Sequence, residues 1–398
     1  WRAMRETTAI PPGPVHFDLP QTETTREAAD ATSEPPLLPN IIDIEPDRAS
    51  LKVPLDMLAR ARRPIILAGL GTLWGRASRE LTALAERLGA PVLVTPKCKG
   101  VLSEDHELRA GCIIGGLLER KLVSEADLII AIGLDAVELQ PKPWPYTAPV
   151  LAISAVLDRT AVVPAAAEVI GPVAKVLSRL TEYCDGGAGW GRKAARNYRE
   201  AVVEALATPS RGLSPQRVME VARAMLPRET IATCDAGASR LLVVQKWESY
   251  GPREFLGSNG LGSMGYALPG AMAAKLAHPD RPCVAFVGDG GFLMAVAELQ
   301  TAVRENLPII AIVFDDEEIG LIRVKQQLKQ IPAYGVHVGG MHWDKLAAGF
   351  GADGVVVDDE QGLTAGLGAA LASGNTTVIG VKIDGSGYVD QFNALREL

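Results

Sequence analysis

Aromatic side chains are scarce, only 5% of 398 residues, while 47% of the chain is hydrophobic and Gly is abundant. That balance of small and aliphatic residues suits a soluble α/β protein with closely packed helices and strands. A basic excess is also lacking: 40 Lys and Arg against 47 Asp and Glu leave a net charge of −7. This excludes the usual nucleic-acid binder, whose phosphate-facing surface must be positive. It does not exclude a phosphorylated cofactor, which backbone N–H groups and a metal ion can hold. The five cysteines (Cys98, Cys112, Cys184, Cys234, Cys283) show no CxxC spacing and no metal-ligand clustering. Reduced thiols in a cytoplasmic compartment are expected, with Cys283 in PCVAFV acting as a small buried hydrophobe. No apolar run reaches transmembrane length, and the first residues do not have a signal-peptide layout. An initiator Met is missing as well, since the chain opens Trp1-Arg2-Ala3, so a longer or processed parent is expected.

What is present is repeated α/β alternation. Residues 1–20 end in PPGPVHFDLP, where Val15 to Leu19 read as one short strand, and 21–50 read as a linker rich in Thr, Glu, Ala, Asp and Pro. From Leu51, buried-strand runs at 64–68, 91–94, 126–132 and 149–153 alternate with helical spacing, as at 77–88. The Gly-rich segment DGGAGWG near 184–190 marks a boundary, and alternation restarts beyond it. Strands are expected at 230–233, 283–287, 309–314, 355–357 and 377–383, with helices at 215–225, 264–276, 291–305 and 343–350. The reading is two consecutive doubly wound parallel-sheet domains, 51–185 and 186–398.

Chemistry concentrates at 283–320. An apolar strand ends in Gly288-Asp289-Gly290-Gly291 and runs straight into a helix; a second strand, IIAIVF, ends in Asp315-Asp316. Adjacent parallel strands would set Asp289 beside Asp316 at the carboxyl edge of one sheet, where open α/β sheets place ligands. Converging carboxylates near phosphate suit magnesium. A lone Gly-Asp-Gly is also an ordinary strand–helix turn; the acidic pair at the next strand end favours the metal reading.

This span resembles the diphosphate-binding signature of thiamine-diphosphate enzymes related to acetohydroxyacid synthase, pyruvate decarboxylase and benzoylformate decarboxylase. The 27-residue step from Asp289 to Asp316 matches that family's spacing. The resemblance implies thiamine diphosphate with Mg²⁺ held by Asp289, Asp316 and the Glu318 carbonyl, and a diphosphate cradled at Gly288, Gly290 and Gly291. It implies that Gly262 accepts a hydrogen bond from the aminopyrimidine, and that Met264, beside Ser263, wedges the two cofactor rings into a V. Asp235-Ala236-Gly237-Ala238-Ser239 resembles the loop contacting the diphosphate, with Ala-Ser where acetohydroxyacid synthases often have Gln-His. The family's pair is Asn-Asn or Asn-Asp; the extra negative charge of Asp315 should weaken cofactor binding unless something offsets it.

The first α/β unit is similar to the family's central domain. Gly69-Leu70-Gly71 follows its first strand as a loose dinucleotide turn. Where FAD-containing relatives carry an Arg segment, this chain has Leu134-Asp135-Ala136-Val137-Glu138, and FAD is not expected. Residues 1–20 resemble the tail of the family's pyrimidine-binding domain. That domain supplies the Glu that promotes proton transfer, so no catalytic Glu is expected here, and Glu298 should face solvent or other helices. The resemblance implies an acetolactate synthase-like carboligase or decarboxylase of a 2-keto acid such as pyruvate. It would be at least dimeric, with the active site completed by another domain or chain. The alternatives are a simple decarboxylase, a 2-hydroxyacyl-CoA lyase whose acidic substrate meets Arg323 or Lys325, a noncatalytic partner subunit, and a Rossmann-type dehydrogenase.

Overall fold

The computed structural model describes residues 3, 7–9, 12–24, 26, 45–139, 143–157, 162–187 and 189–395. Among these, strands build two six-stranded, all-parallel sheets. The first contains β1 (Pro64–Ala68), β2 (Val92–Val94), β3 (Arg109–Cys112), β4 (Leu128–Ile132), β5 (Val150–Ser154) and β6 (Ala165–Ile170), in the order 3-2-1-4-5-6. The second contains β7 (Ile231–Cys234), β8 (Phe255–Gly257), β9 (Cys283–Gly288), β10 (Ile310–Asp315), β11 (Asp353–Val357) and β12 (Thr377–Lys382), in the order 11-12-10-9-7-8. The α/β doubly wound reading therefore holds for both sheets.

Central strands are apolar along their whole length because helices cover both faces. β1 and β4 are buried at every residue. The edge strand β6 differs, with the run AAAEVI and only Val169 buried, whereas the edge strand β3 is buried throughout beneath helix Gly191–Leu206. The three strands that hydrophobic pattern did not forecast, β3, β6 and β8, are all edges, paired on one side only.

Three local expectations are corrected. Val15–Leu19 forms no strand: residues 12–20 are irregular, and Phe17 is 67% exposed. A lone extended segment finds no sheet edge to satisfy its backbone there. The proposed linker falls largely outside the described residues. The helix expected at 291–305 is two helices, Asp289–Ala295 and Glu298–Arg304, with Glu298 exposed at the break. The helix expected from 264 starts at Ala267 because its leading amides are held elsewhere, as described below.

Helix Gly191–Leu206 lies against the first sheet at β3, and the C-terminal helix Tyr388–Leu395 packs on it. The two sheets are also joined through a buried ionic cluster. Lys99, fully buried, pairs with Glu104 at 2.6 Å, and Glu104 also pairs with Arg109. Glu104 N–H then donates to Ser249 O across the seam at 3.2 Å. All five cysteines are buried free thiols. No helix among the described residues is long and apolar enough to cross a membrane.

Candidate functional site

In the second sheet the chain leaves β7 toward β8 on one side and returns to β9 on the other. The crevice beyond the carboxyl ends of β7 and β9 is the topological switch point, where open α/β sheets bind ligands. Asp235 follows β7 and is 2% exposed. Its Oδ1 accepts from Tyr266 N–H at 2.7 Å and Ala267 N–H at 2.6 Å, and its Oδ2 from Gly265 N–H at 2.7 Å. One buried carboxylate thus caps helix Ala267–Ala277 and fixes the 258–266 loop. Ala236 N–H adds a bond to Ser263 O at 3.3 Å, so Gly237-Ala238-Ser239 and Gly262-Ser263-Met264 are brought together. Gly237 (φ 147°) and Gly262 (φ 61°) occupy backbone regions that side chains disfavour.

The Gly-Asp-Gly turn lies beside this loop. A Cβ at Gly288 or Gly237 would meet nothing within 4 Å, and one at Gly290 would meet only side chains: Met264 Cε at 3.5 Å, Val338 at 3.7 Å and Ile319 at 3.9 Å. The glycines therefore border open space, with Met264 at its rim. Gly291 is different, because an added Cβ would run into Asp235 Oδ2.

Gly288 pairs with Phe314, so Asp289 and the Asp315-Asp316 pair leave neighbouring strands side by side. Asp289 is 2% exposed; its Oδ1 accepts from Gly290 N–H at 2.6 Å, whereas its Oδ2 is buried without a partner. Burial, with a repelling contribution from Asp315, pushes its carboxyl up to about 6. Asp316 is pushed up to about 7 by burial, then by the charge of Asp289. A buried carboxylate with an orphaned oxygen, beside a half-buried one whose proton it helps to hold, fits a bound divalent cation.

The pair itself divides. Strand alternation sends Asp315 to the opposite side, where its Oδ2 accepts from Trp343 Nε1 and from Lys382 Nζ, both at 2.7 Å. Lys382 is opposite Asp315 in the β10–β12 register. Lys382 and Trp343 therefore offset part of the extra negative charge within the sheet, while Asp315 Oδ1 is buried without a partner. Sequence reading named Asp315 but missed Lys382 and Trp343, although a Lys ending an apolar strand (TVIGVK) is a signal for such a partner. Asp235 was noted only as part of a loop; its capping role has no local signal.

Glu318 sits in a short antiparallel pairing: Ile319 N–H donates to Val336 O at 2.7 Å, and Val338 N–H to Glu317 O at 2.8 Å. Neither bond uses the Glu318 carbonyl, which leaves it available as a ligand. Glu317, at φ 59°, takes the left-handed turn and is tied to Lys382 at 3.0 Å. Among the described residues no three His, Cys, Asp or Glu side chains cluster as a metal site, so a cation here would rest on two carboxylates and backbone oxygen.

Comparison with known proteins covers the span that holds this site. Residues 235–381 match the thiamine pyrophosphate enzyme C-terminal TPP binding domain, and residues 31–180 match the thiamine pyrophosphate enzyme central domain. The chain belongs to the thiamine pyrophosphate enzymes. It is 30% identical to the probable acetolactate synthase large subunit of Methanocaldococcus jannaschii, over 94% of this chain and 67% of that protein. It is 29% identical to the probable acetolactate synthase large subunit of Methanococcus aeolicus, over 80% of this chain and 58% of that protein. It is also 29% identical to the sulfoacetaldehyde acetyltransferase of Alcaligenes xylosoxydans xylosoxydans, over 83% of this chain and 62% of that protein. The chain thus spans 58% to 67% of these relatives' lengths.

In this thiamine pyrophosphate enzyme a cavity of about 710 Å³ opens between the sheets. Its walls include Leu67, Ile113, Trp144 and Tyr146 from the first unit and Gly237, Arg240 and Gly262 from the second. Arg240, held by Asn259, lines it close to Gly262. Arg323 lies 3.9 Å from Glu318 on the helix Gly320–Leu328.

Proposed function

We propose that this chain carries the diphosphate- and magnesium-binding half of an acetolactate synthase-like carboligase acting on a 2-keto acid such as pyruvate. The observation carrying the reading is the pair of buried Asp289 and half-buried Asp316 at adjacent strand ends, beside glycines that border open space. Asp289, Asp316 and the Glu318 carbonyl would hold Mg²⁺. The amides around Gly237-Ala238-Ser239 and of Gly288 and Gly291 would face the diphosphate, with Gly290, whose N–H is held by Asp289, letting it approach closely. Gly262, Ser263 and Met264 would set the ring end. When bound, thiamine diphosphate supplies the electron sink for decarboxylation and carbon–carbon bond formation. The chain's own contributions are to orient that group, neutralise its charge through the metal, and shield the reacting end with apolar side chains such as Met264 and Ile319.

The activating Glu and the rest of the active site would come from a pyrimidine-binding domain, in the same polypeptide or on a partner, within an assembly at least dimeric. The rim supports this: Leu261 is 95% exposed and Met294 66% exposed beside the site, a poor arrangement for water and a good one for a covering domain. The buried thiols are consistent with a reducing, cytoplasmic setting.

Calorimetric titration of thiamine diphosphate with and without Mg²⁺ tests the site. Magnesium-dependent saturation is expected, and no binding even with the pyrimidine-binding domain present would favour a noncatalytic subunit. Product analysis with pyruvate tests the activity: acetolactate is expected, and acetaldehyde alone or no turnover would move the reading to a simple decarboxylase or a lyase.

A further inference from the structure

The first sheet has the strand order of dinucleotide-binding folds, in which a pyrophosphate sits beyond the carboxyl ends of β1 and β4, at the start of the helix after β1. Here the chain fills that crevice itself. Gly69 N–H donates to Ile132 O and Gly71 N–H to Gly133 O, both at 2.8 Å, and the Thr72 hydroxyl donates to Ile132 O at 3.0 Å. The turn after β1 therefore lies directly on the turn after β4. A Cβ at Gly71 would stand 2.7 Å from Gly133 Cα, and one at Gly133 would stand 2.5 Å from Thr72 N. The contact is main chain against main chain, with no flexible side chain to swing away.

The anion seat is taken as well. Leu70 N–H, the first amide of the helix after β1, donates to Glu138 Oε2 at 2.7 Å, while Glu138 Oε1 accepts from the Thr95 hydroxyl at 2.5 Å. A phosphate oxygen entering there would have to expel a carboxylate of like charge that already holds two hydrogen bonds, and then separate two backbones. We infer that the phosphate seat between the turns after β1 and β4 is closed to the pyrophosphate of FAD and of adenine nucleotides, with Glu138 as its resident occupant at the edge of the cavity. Glu138 also fixes the segment carrying Val137, whose Cγ2 would lie 3.1 Å from a Cβ at Gly260. The sheet thus serves as a rigid wall of the cavity that reaches Gly262.

The test is equilibrium dialysis of the purified protein against FAD and, separately, ADP, with thiamine diphosphate and Mg²⁺ uptake measured on the same sample as a separate report on the second sheet. No retained flavin absorbance and no saturable ADP uptake are expected. Glu138→Ala should lower Tm by several degrees, with Glu138→Gln between it and the parent. One flavin or one ADP retained per chain would overturn the inference, as would a Glu138→Ala variant with an unchanged Tm.

Discussion

Gly71 and Gly290 both stand just beyond the carboxyl end of an inner parallel strand, yet their surroundings are opposite. An added Cβ at Gly71 would meet backbone at 2.7 Å; one at Gly290 would meet only side chains, the nearest at 3.5 Å. The carboxylates follow the same division. Glu138 spends both oxygens inside the first crevice, whereas Asp289 presents a buried oxygen with no partner to the second. Asp235, which also consumes backbone amides, uses those of the 265–267 turn and leaves the second crevice clear. Two sheets of the same class thus use acidic residues and glycines for closure in one case and for an open cradle in the other. Whether a glycine-rich turn binds anything depends on what already occupies its amides.

The comparison breaks most severely at Lys382. Lys382→Met leaves Asp315 buried with only Trp343 as partner and should cost up to about 3 kcal/mol, since removing the half-exposed Lys strands a fully buried carboxylate. In an Asp315→Asn background the same change should cost far less. Equal losses in both backgrounds, by chemical denaturation, would show that Lys382 does not offset Asp315. Next, Asp289→Ala should reduce magnesium-dependent thiamine diphosphate affinity at least ~100-fold, about 2.7 kcal/mol, without lowering the Tm of the unliganded protein. Unchanged affinity in calorimetry would sink the metal assignment.

The glycines give a paired test. Gly71→Ala should destabilise by about 1–3 kcal/mol through overpacking. Gly290→Ala should leave Tm unchanged or slightly higher, because Ala suits a helix better, while weakening cofactor binding. Similar Tm losses in both would erase the distinction between closed and open crevices.

The smallest effect is a pH dependence in the first unit. Glu119 lines the cavity and accepts from Ile114 N–H at 2.6 Å and Gly115 N–H at 3.0 Å, yet burial outweighs these donors and raises its carboxyl to about 7. The unfolded chain releases this proton near 4.5, the folded chain only near 7. The folded state therefore binds more protons in that window, and stability falls as pH rises through it. The Tm of Glu119→Gln relative to the parent should shift upward between about pH 5 and about pH 8. A flat difference would count against a buried, titrating Glu119.

Much of this was legible along the chain. Inner strands buried on both faces must be continuous apolar runs, so β1, β4, β9 and β10 announced themselves. The edges β3, β6 and β8 did not, because one-sided pairing tolerates RAGC or AAAEVI. Asp289 and Asp316 were readable because their spacing from strand ends sets their position at the sheet edge, and register then makes them neighbours.

By itself, then, the sequence determined two parallel sheets and one acidic, glycine-rich edge, since these follow from local periodicity and from residues tied to strand ends. Only the tertiary structure decided that Asp315 is paired with Lys382, that Asp235 holds the 265–267 amides, and that Glu138 takes the phosphate seat of the first sheet. Each of those outcomes joins residues 30 to 68 positions apart through hydrogen bonds or an ion pair. Such bonds depend on where side chains converge in space, and no local pattern of residues carries that information.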